Sequence, residues 1–472
     1  MIISFVFFLL IFVIIGVLST VVNKHTSSDY LLANHSVKPW LVALSAVATN
    51  NSGFMFIGMI GYTYSYGISS IWLMIGWIAG DFVSSLFIHK KLRITTKNKG
   101  VLSFAGAISK WGNFDYKKLR IYLGVITIIF LGIYAAAQLN AGSKALHILF
   151  GWDYKVGAIV GATIVLLYCF AGGIRASIWT DAAQSFVMIF AMGLLCITAI
   201  SEIGGISDLL SRTQSVSNDY ISLFPQNLEI NSFIGPLLFV LGWFFAGIGV
   251  IGQPHIMVRF MAMDQPNNIT KVRGYYYSFY TLFYVLTILV GITARILLPD
   301  VNNFDAELAL PTLANSLLPE ILVGLILAGL FAATMSTADS QILSCTAAVT
   351  CDFKSGKKLS YLMTKLVTVF VTLVALIIAL YGNESVFSLV LISWSVLAAS
   401  FAPLLIIYAL GGKPSEKLAI VISVSGVLTI VAWKIFKLDG YIYEVAPGIL
   451  MGLLVFLLSK LFIKSNANCQ VS

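Results

Sequence analysis

Apolar runs of about 20 residues recur from one end of the chain to the other, the length at which an α-helix crosses the hydrocarbon core of a bilayer. Thirteen segments follow from this pattern: 2–22, 40–66, 69–89, 119–147, 155–172, 176–201, 232–258, 275–298, 319–348, 360–381, 386–411, 418–434 and 441–463. The first starts at Ile2 with no basic stretch before it and reaches Val22 without a small-residue cleavage site, which predicts a retained helix rather than a signal peptide. The longest intervening segments are 90–118 and 202–231; within the former, Val101 to Ile108 predicts a short helix on or in the membrane surface.

Composition agrees with this pattern. Of 472 residues, 59% are hydrophobic and 10% are charged, against about 25% charged in soluble domains. The chain cannot cover soluble surfaces with that little charge. The five cysteines form no CxxC pair, and HExxH, Walker A and GxSxG patterns are absent. A membrane-embedded enzyme therefore has no sequence support.

The net charge of +9 reflects topology rather than nucleic acid. With the N-terminus outside, the inside segments collect 23 of the 29 Lys and Arg residues, chiefly in 90–120 and 354–365. The positive-inside rule then predicts an outer N-terminus and a cytoplasmic C-terminus.

Two segments carry helix-breaking residues at their centres. The second reads Ala48-Thr49-Asn50-Asn51-Ser52-Gly53, and the seventh reads Gly247 to Pro254 with three glycines before Gln253-Pro254. Such residues disfavour a helix interior. Within a bilayer, unwound backbone must line a cavity or pack on protein, and paired breaks mark transporter binding sites. The breaks lie five segments apart. An odd offset makes the two helices antiparallel, so segments 2–6 and 7–11 form a predicted five-plus-five inverted repeat.

Three acids fall deep in the spans: Asp81, Asp181 and Asp339. Charge there is costly and points to function or to a structural ion pair. Asp81 precedes Lys90 by nine residues and is expected at the inner vestibule. The ninth segment adds Ser336, Thr337 and Ser340 on a run of small residues. Hydroxyl oxygens beside free carbonyls suit a hard cation such as sodium, although a Ser/Thr-rich helix by itself also serves packing. Tyr275, Tyr276, Tyr277 and Tyr280 read as interfacial or packing aromatics.

Several motifs together resemble the sodium:solute symporter family, particularly its bacterial proline-transporting branch. They are Asp29-Tyr30, Leu44-Ser45-Ala46 leading to Ser52-Gly53, Ser177 to Asp181 with Gln184, Gly252 to Ile256 through Arg259-Phe260-Met261, and Met335-Ser336-Thr337 with Gln341-Ile342-Leu343. The resemblance covers most of the chain and implies a LeuT-type fold. It implies a sodium site made by the carbonyls of Ala48, Asn51 and Ala333 and the hydroxyls of Ser336 and Thr337. It further implies a second cation site or relay at Asp181, near which Asp339 and Ser340 supply oxygens. The expected substrate pocket comprises Ser52, Gly53, Phe54, Gln138, Val250, Gln253, Pro254 and Trp394. The chain departs from the branch at Asn50, where an acid is usual, at His35 in place of Arg, and at Asp339 in place of Ser. Phe54 and the pocket positions Ala246 and Val250 also depart, with Trp243 eleven residues before Pro254.

The sequence thus predicts an all-α membrane protein with one integral transporter domain over 1–472. Its repeat core covers about 40–411, with peripheral helices at 2–22, 418–434 and 441–463. The expected function is sodium-coupled import of a small polar solute, proline or a related amino acid, through a multi-pass protein of the cell (inner) membrane. Sodium is the co-transported ion, the bilayer and the solute are the partners, nucleic acid is not, and the monomer is the working unit. The rival readings are symport of a sugar, carboxylate or vitamin, proton-coupled transport through Asp181 and Asp339, and solute sensing.

Overall fold

The computed structural model describes residues 1–22, 24–230, 232–298, 304–353, 359–382 and 386–469. Among them are ten helices, counting closely abutting ones together, that are long and apolar enough to cross a membrane, and a shorter apolar helix at Val445–Leu461. Two of the ten are too long for one crossing. Pro39–Lys99 spans 61 residues and Tyr154–Ile203 spans 50, or about 75 Å if the latter were straight. The first turns at Gly67 (φ +66°) and the second at Gly173 (φ +58°). A Cβ at Gly67 would lie 2.1 Å from the Tyr220 carbonyl oxygen, and one at Gly173 would lie 2.4 Å from that of Tyr30. Only glycine fits both the backbone sign and the space. Divided there, the helices give thirteen crossings, the number and approximate boundaries that hydropathy predicts.

In chain order the long helices are α1 (Ile2–Leu18), α2 (Pro39–Gly53), α3 (Ile60–Tyr66), α4 (Ile71–Lys99), α5 (Lys117–Phe150), α6 (Tyr154–Ile203) and α7 (Ile234–Ile248). They continue with α8 (Pro254–Ala262), α9 (Ile269–Leu297), α10 (Glu320–Cys351), α11 (Tyr361–Tyr381), α12 (Val386–Ala409), α13 (Glu416–Ile435) and α14 (Val445–Cys469). Local signals set several ends. Pro39 and Pro254 occupy first turns, where no amide hydrogen is needed. Ser360 and Ser415 cap α11 and α13 through the amides of Met363 and Leu418.

Burial ranks the helices. In the most apolar stretch of α10, 89% of residues are buried, and in α12 the figure is 83%; in α1 and α13 it is 28%. α10 is therefore the central post, packed on α2, α5 and α6, while α1 and α13 present apolar side chains outward to lipid. The stretch after α4 forms a short buried helix, Phe104–Ser109, capped by Ser103. Two further short helices, Ile206–Val216 and Ala309–Leu317, lie in connections that hydropathy leaves unassigned.

Both predicted interruptions are present. α2 ends at Ser52, whose backbone is left-handed and non-helical (φ 51°, ψ −179°), and a π-helical turn, Phe54–Met59, leads into α3. α7 gives way to a 3₁₀ turn, Gly249–Gly252, and an extended Gln253 before α8. A positive φ at a serine is strained, and it is held where α2 packs on α10.

Candidate cation and solute site

The α2 break faces the hydroxyl run of α10. Ser336 Oγ donates to the carbonyls of Ala48 (3.2 Å) and Ala333 (3.0 Å). Thr337 Oγ1 reaches the carbonyls of Thr49 (3.0 Å) and Ala333 (3.1 Å). All five residues are buried. The set holds only hard oxygens, two hydroxyls and three carbonyls, the donor chemistry that an alkali cation needs. The expected residues Ala48, Ala333, Ser336 and Thr337 thus converge. Asn51 stands slightly apart. Its carbonyl takes the amide of Phe54 at the end of α2, and its side-chain amide is buried without a partner. The Thr49 carbonyl, adjacent to Ala48, was not singled out by sequence and completes the convergence.

One turn along α10, Thr49 Oγ1 and Ser340 Oγ meet at 3.1 Å. They link the hydroxyl site to a buried charge cluster. Asp181 and Asp339, on α6 and α10, both approach Nη2 of Arg259, at 3.2 and 3.6 Å. All three side chains are fully buried. Asp339 also accepts from Ser177 (2.8 Å), Ser340 (2.8 Å) and Tyr168 (2.8 Å). Asp181 Oδ2 accepts from Ser45 at 2.6 Å, while its Oδ1 has no hydrogen-bond partner among the described residues. Arg259 further binds the His255 carbonyl (2.8 Å), Ser45 (3.1 Å), Ser177 (2.7 Å) and Ser340.

Sequence reading found both acids and Ser340 and missed their partner. Arg259 sits near the end of a span, so it counts by position as a flanking basic residue. Instead it turns inward from α8, as does Arg93 from α4 to the Met263 and Asp264 carbonyls. The available signal was His255 and Arg259 at i,i+4 behind a helix-starting proline. Ser45 and Ser177 lie in motifs noted in the sequence, but nothing local pairs them with the acids, and no local pattern marks Tyr168.

The residues expected to line the solute pocket lie where the two breaks approach α5 and α12. Gln138 on α5 accepts from the Gly53 amide (2.8 Å), leaving its Nε2 buried without a partner. Gln253 donates to the Trp394 carbonyl (3.0 Å), leaving its Oε1 unpartnered. Trp394 Nε1 bonds the Ala246 carbonyl at 3.2 Å. Phe54, Trp77, Trp243 and Trp394 form a chain of rings 4.8 to 6.0 Å apart. Ser52, Val250 and Pro254 are buried in the adjoining breaks. An aromatic wall with an unused amide donor and an unused amide acceptor can hold a small zwitterion or polyol. Trp77 and Trp243 belong to this wall although the sequence-derived set omits them.

His35 lies outside the spans, where its ring meets the Met261 carbonyl at 2.9 Å. Burial holds its pKa below the usual imidazole value, with Arg93 and Lys97 adding to the shift.

The profile of the sodium:solute symporter family matches residues 30–420. The sodium/proline symporter of Escherichia coli (strain K12) is 30% identical over 469 residues, covering 96% of this chain and 91% of that protein. The sodium/proline symporter of Staphylococcus aureus (strain JH9) is 30% identical over 486 residues, covering 98% and 92%. Among solved structures, a sodium-coupled sialic acid symporter in a substrate-bound outward-open state superposes with a TM-score of 0.81 at 17% identity, covering 96% of this chain and 95% of that one. MhsT with bound L-phenylalanine gives 0.60 at 14% identity, covering 89% and 99%. The fold is LeuT-like, with paired broken helices at its centre. With the family profile running across both repeats, the chain belongs to the sodium:solute symporter family, as a multi-pass, sodium-coupled solute transporter rather than an enzyme.

Proposed function

We propose that the protein imports proline or a closely related amino acid into the cell, driven by sodium entering with it. The observation that carries the sodium half is the meeting of Ser336 and Thr337 with the carbonyls of Ala48 and Thr49. Sodium, as the transported co-ion, is held by Ala48, Ala333, Ser336 and Thr337, with Asn51 joining through a small turn of the unwound backbone. An ion there ties α2 to α10 and favours the solute-binding arrangement. Coupling follows because ion and solute prefer the same conformation, and a ligand indifferent to conformation would shift nothing.

The two sodium/proline symporters at 30% identity support the amino-acid half. So does the pocket chemistry. The unpartnered Nε2 of Gln138 offers a donor to a carboxylate, and the Oε1 of Gln253 an acceptor to an amine. The aromatic wall covers an apolar side chain. Both halves of the site come from one chain, so the monomer is a complete transport unit. The basic flanks favour an outer N-terminus in the cell membrane.

Asp181, Asp339 and Ser340 form the second cation site in this reading. Two carboxylates share one guanidinium, so the cluster carries one uncompensated negative charge when both are ionised. Asp181 Oδ1 is the free ligand for a monovalent cation. The sialic acid symporter noted above is described as having a novel sodium site, which fits two ion positions in this fold.

The test is uptake of a labelled panel of amino acids, sugars and carboxylates by proteoliposomes, with an inward sodium or potassium gradient. Concentrative proline uptake under sodium alone supports the proposal. Uptake of a sugar or carboxylate in place of amino acids would move the substrate while keeping the sodium mechanism.

A further inference from the structure

Asp81, on α4, is the third acid of the membrane interior, and the mechanism above does not use it. Its side chain is fully buried. Among the described residues it forms no ion pair, in contrast to Asp181 and Asp339. The Tyr276 and Tyr277 hydroxyls of α9 flank it, yet neither carboxylate oxygen closes a hydrogen bond of good geometry.

Among the described residues, the polar groups acting on the acid are phenols and not cations. From α9 the polar groups facing it are Tyr276, Tyr277 and, farther along, Tyr280. Arg273, one turn away on α9, is taken by Ser85, with Nη2 on its carbonyl at 2.6 Å and Nε near its hydroxyl at 3.2 Å. From α7 come Phe244, Gly247 and Ile248, none of which ionises. The contact is close. A Cβ at Gly247 would sit 2.9 Å from the Asp81 amide nitrogen, and one at Gly80 would sit 1.9 Å from the Phe244 carbonyl oxygen. From α8 Phe260 lies against His89, two turns further along α4. Arg259 is committed to Asp181 and Asp339. A lone carboxylate in such surroundings is costly, and a bound proton removes that cost.

Tyr276 connects this acid to the sodium site. Asn50 Nδ2 donates to its hydroxyl at 2.7 Å. The phenol is thereby an acceptor from Asn50 and keeps its own proton for Asp81. Asn50 is the residue beside Asn51 at the α2 break. The Asp81 backbone also packs on α7 at Gly247, two residues before the second break.

We propose that Asp81 is a proton-binding site antagonistic to sodium, linked to the α2 break through Tyr276 and Asn50. An ionised Asp81 places negative charge near the cation and holds the Tyr276 proton, which keeps Asn50 in position. A protonated Asp81 cancels that charge and releases the phenol. Sodium therefore binds more weakly as pH falls, and by linkage sodium expels the proton to the same extent. This inference rests on sodium binding at Ser336 and Thr337.

The test is sodium-dependent thermal stabilisation of the purified full chain, titrated with sodium against potassium from pH 5.5 to 8.5. Wild type is expected to need about fivefold or more sodium at pH 5.5 than at pH 8.5, a coupling within the usual allosteric range. Asp81→Asn, which resembles the protonated acid in shape and charge, is expected to show the weak, low-pH sodium affinity at every pH. Tyr276→Phe keeps the acid and breaks the link, so its pH dependence is expected to shrink. A wild-type sodium affinity that ignores pH, or an Asp81→Asn variant with the full wild-type pH dependence, overturns the proposal. Full pH coupling in Tyr276→Phe overturns the route. A Ser336→Ala/Thr337→Ala variant separates the readings: if it keeps the normal sodium response, the sodium site itself is misplaced; if it loses the response while Asp81→Asn keeps pH coupling, only the Asp81 proposal fails.

Discussion

The membrane interior holds two acidic regions solved in opposite ways. Asp181 and Asp339 share Arg259 and draw on four hydroxyl groups, so all but one negative charge is met within a polar network across α2, α6, α8 and α10. Asp81 has two phenols beside it and, among the described residues, no ion pair. Compensation makes a region rigid and specific to one arrangement, because breaking any member strands the others. Lack of compensation makes a group responsive, because a proton or ion must supply what the protein does not.

The largest effect is expected at Arg259. Arg259→Met leaves two buried carboxylates facing each other, and removing one partner from such a group typically costs about 3–5 kcal/mol. Little folded protein is expected on size-exclusion chromatography, and Asp339→Asn added to Arg259→Met is expected to recover part of it. A stable, active Arg259→Met protein would show that the cluster is not the compensated unit described here.

The next effect concerns sodium. Ser336→Ala and Thr337→Ala each remove one hard oxygen while their small-residue packing on α2 is kept. The sodium needed for half-maximal uptake is expected to rise by about tenfold or more, about 1.4 kcal/mol, with expression unchanged. Wild-type sodium dependence in both variants would place the ion elsewhere.

A subtler effect is expected within the Arg259 cluster. Asp181→Asn and Asp339→Asn touch the same guanidinium, so their effects on sodium affinity are expected to be non-additive by about 0.5–3 kcal/mol in a double-mutant cycle. Asp81→Asn combined with either should be closer to additive, because Asp81 contacts different residues. Equal coupling in all three pairs would merge the two regions into one.

The smallest effect is at the membrane edge. Asp352 follows the last residue of α10, is buried, and accepts from Ser103, the cap of the Phe104–Ser109 helix. Burial raises its carboxyl to about 8, against opposing contributions from Ser103 and Arg120. The folded protein therefore holds a proton that the unfolded chain releases near pH 4. Stability from this group is present below that pH and is lost progressively as pH rises to about 8. Asp352→Asn is expected to melt higher than wild type at pH 8.5 with the gap closing at pH 5. A gap independent of pH would contradict this.

Hydropathy made the crossings legible because each helix must satisfy a fixed bilayer thickness. The breaks were legible too, since Asn50-Asn51-Ser52-Gly53 and Gly249 to Pro254 violate helix propensity in the middle of apolar runs. Pairings were not. Arg259 looks the same in sequence whether it ends a span or turns inward. Tyr276 reads as one of an aromatic stripe, and only the fold sets its hydroxyl on Asn50. Thr49 was hidden because its role combines a backbone carbonyl with a hydroxyl. Ser45 and Asp181 each stand in a sequence motif, but their pairing across 136 residues leaves no local pattern to find.

The central claim is that α2 and α10 together hold a sodium ion. It is tested most directly by the melting temperature of the purified protein in sodium against potassium, from one to several hundred millimolar, for wild type and Ser336→Ala/Thr337→Ala. Saturable stabilisation by sodium alone is expected in wild type, and its loss in the double variant. Equal stabilisation by the two ions, or a double variant that responds to sodium as wild type does, would contradict it.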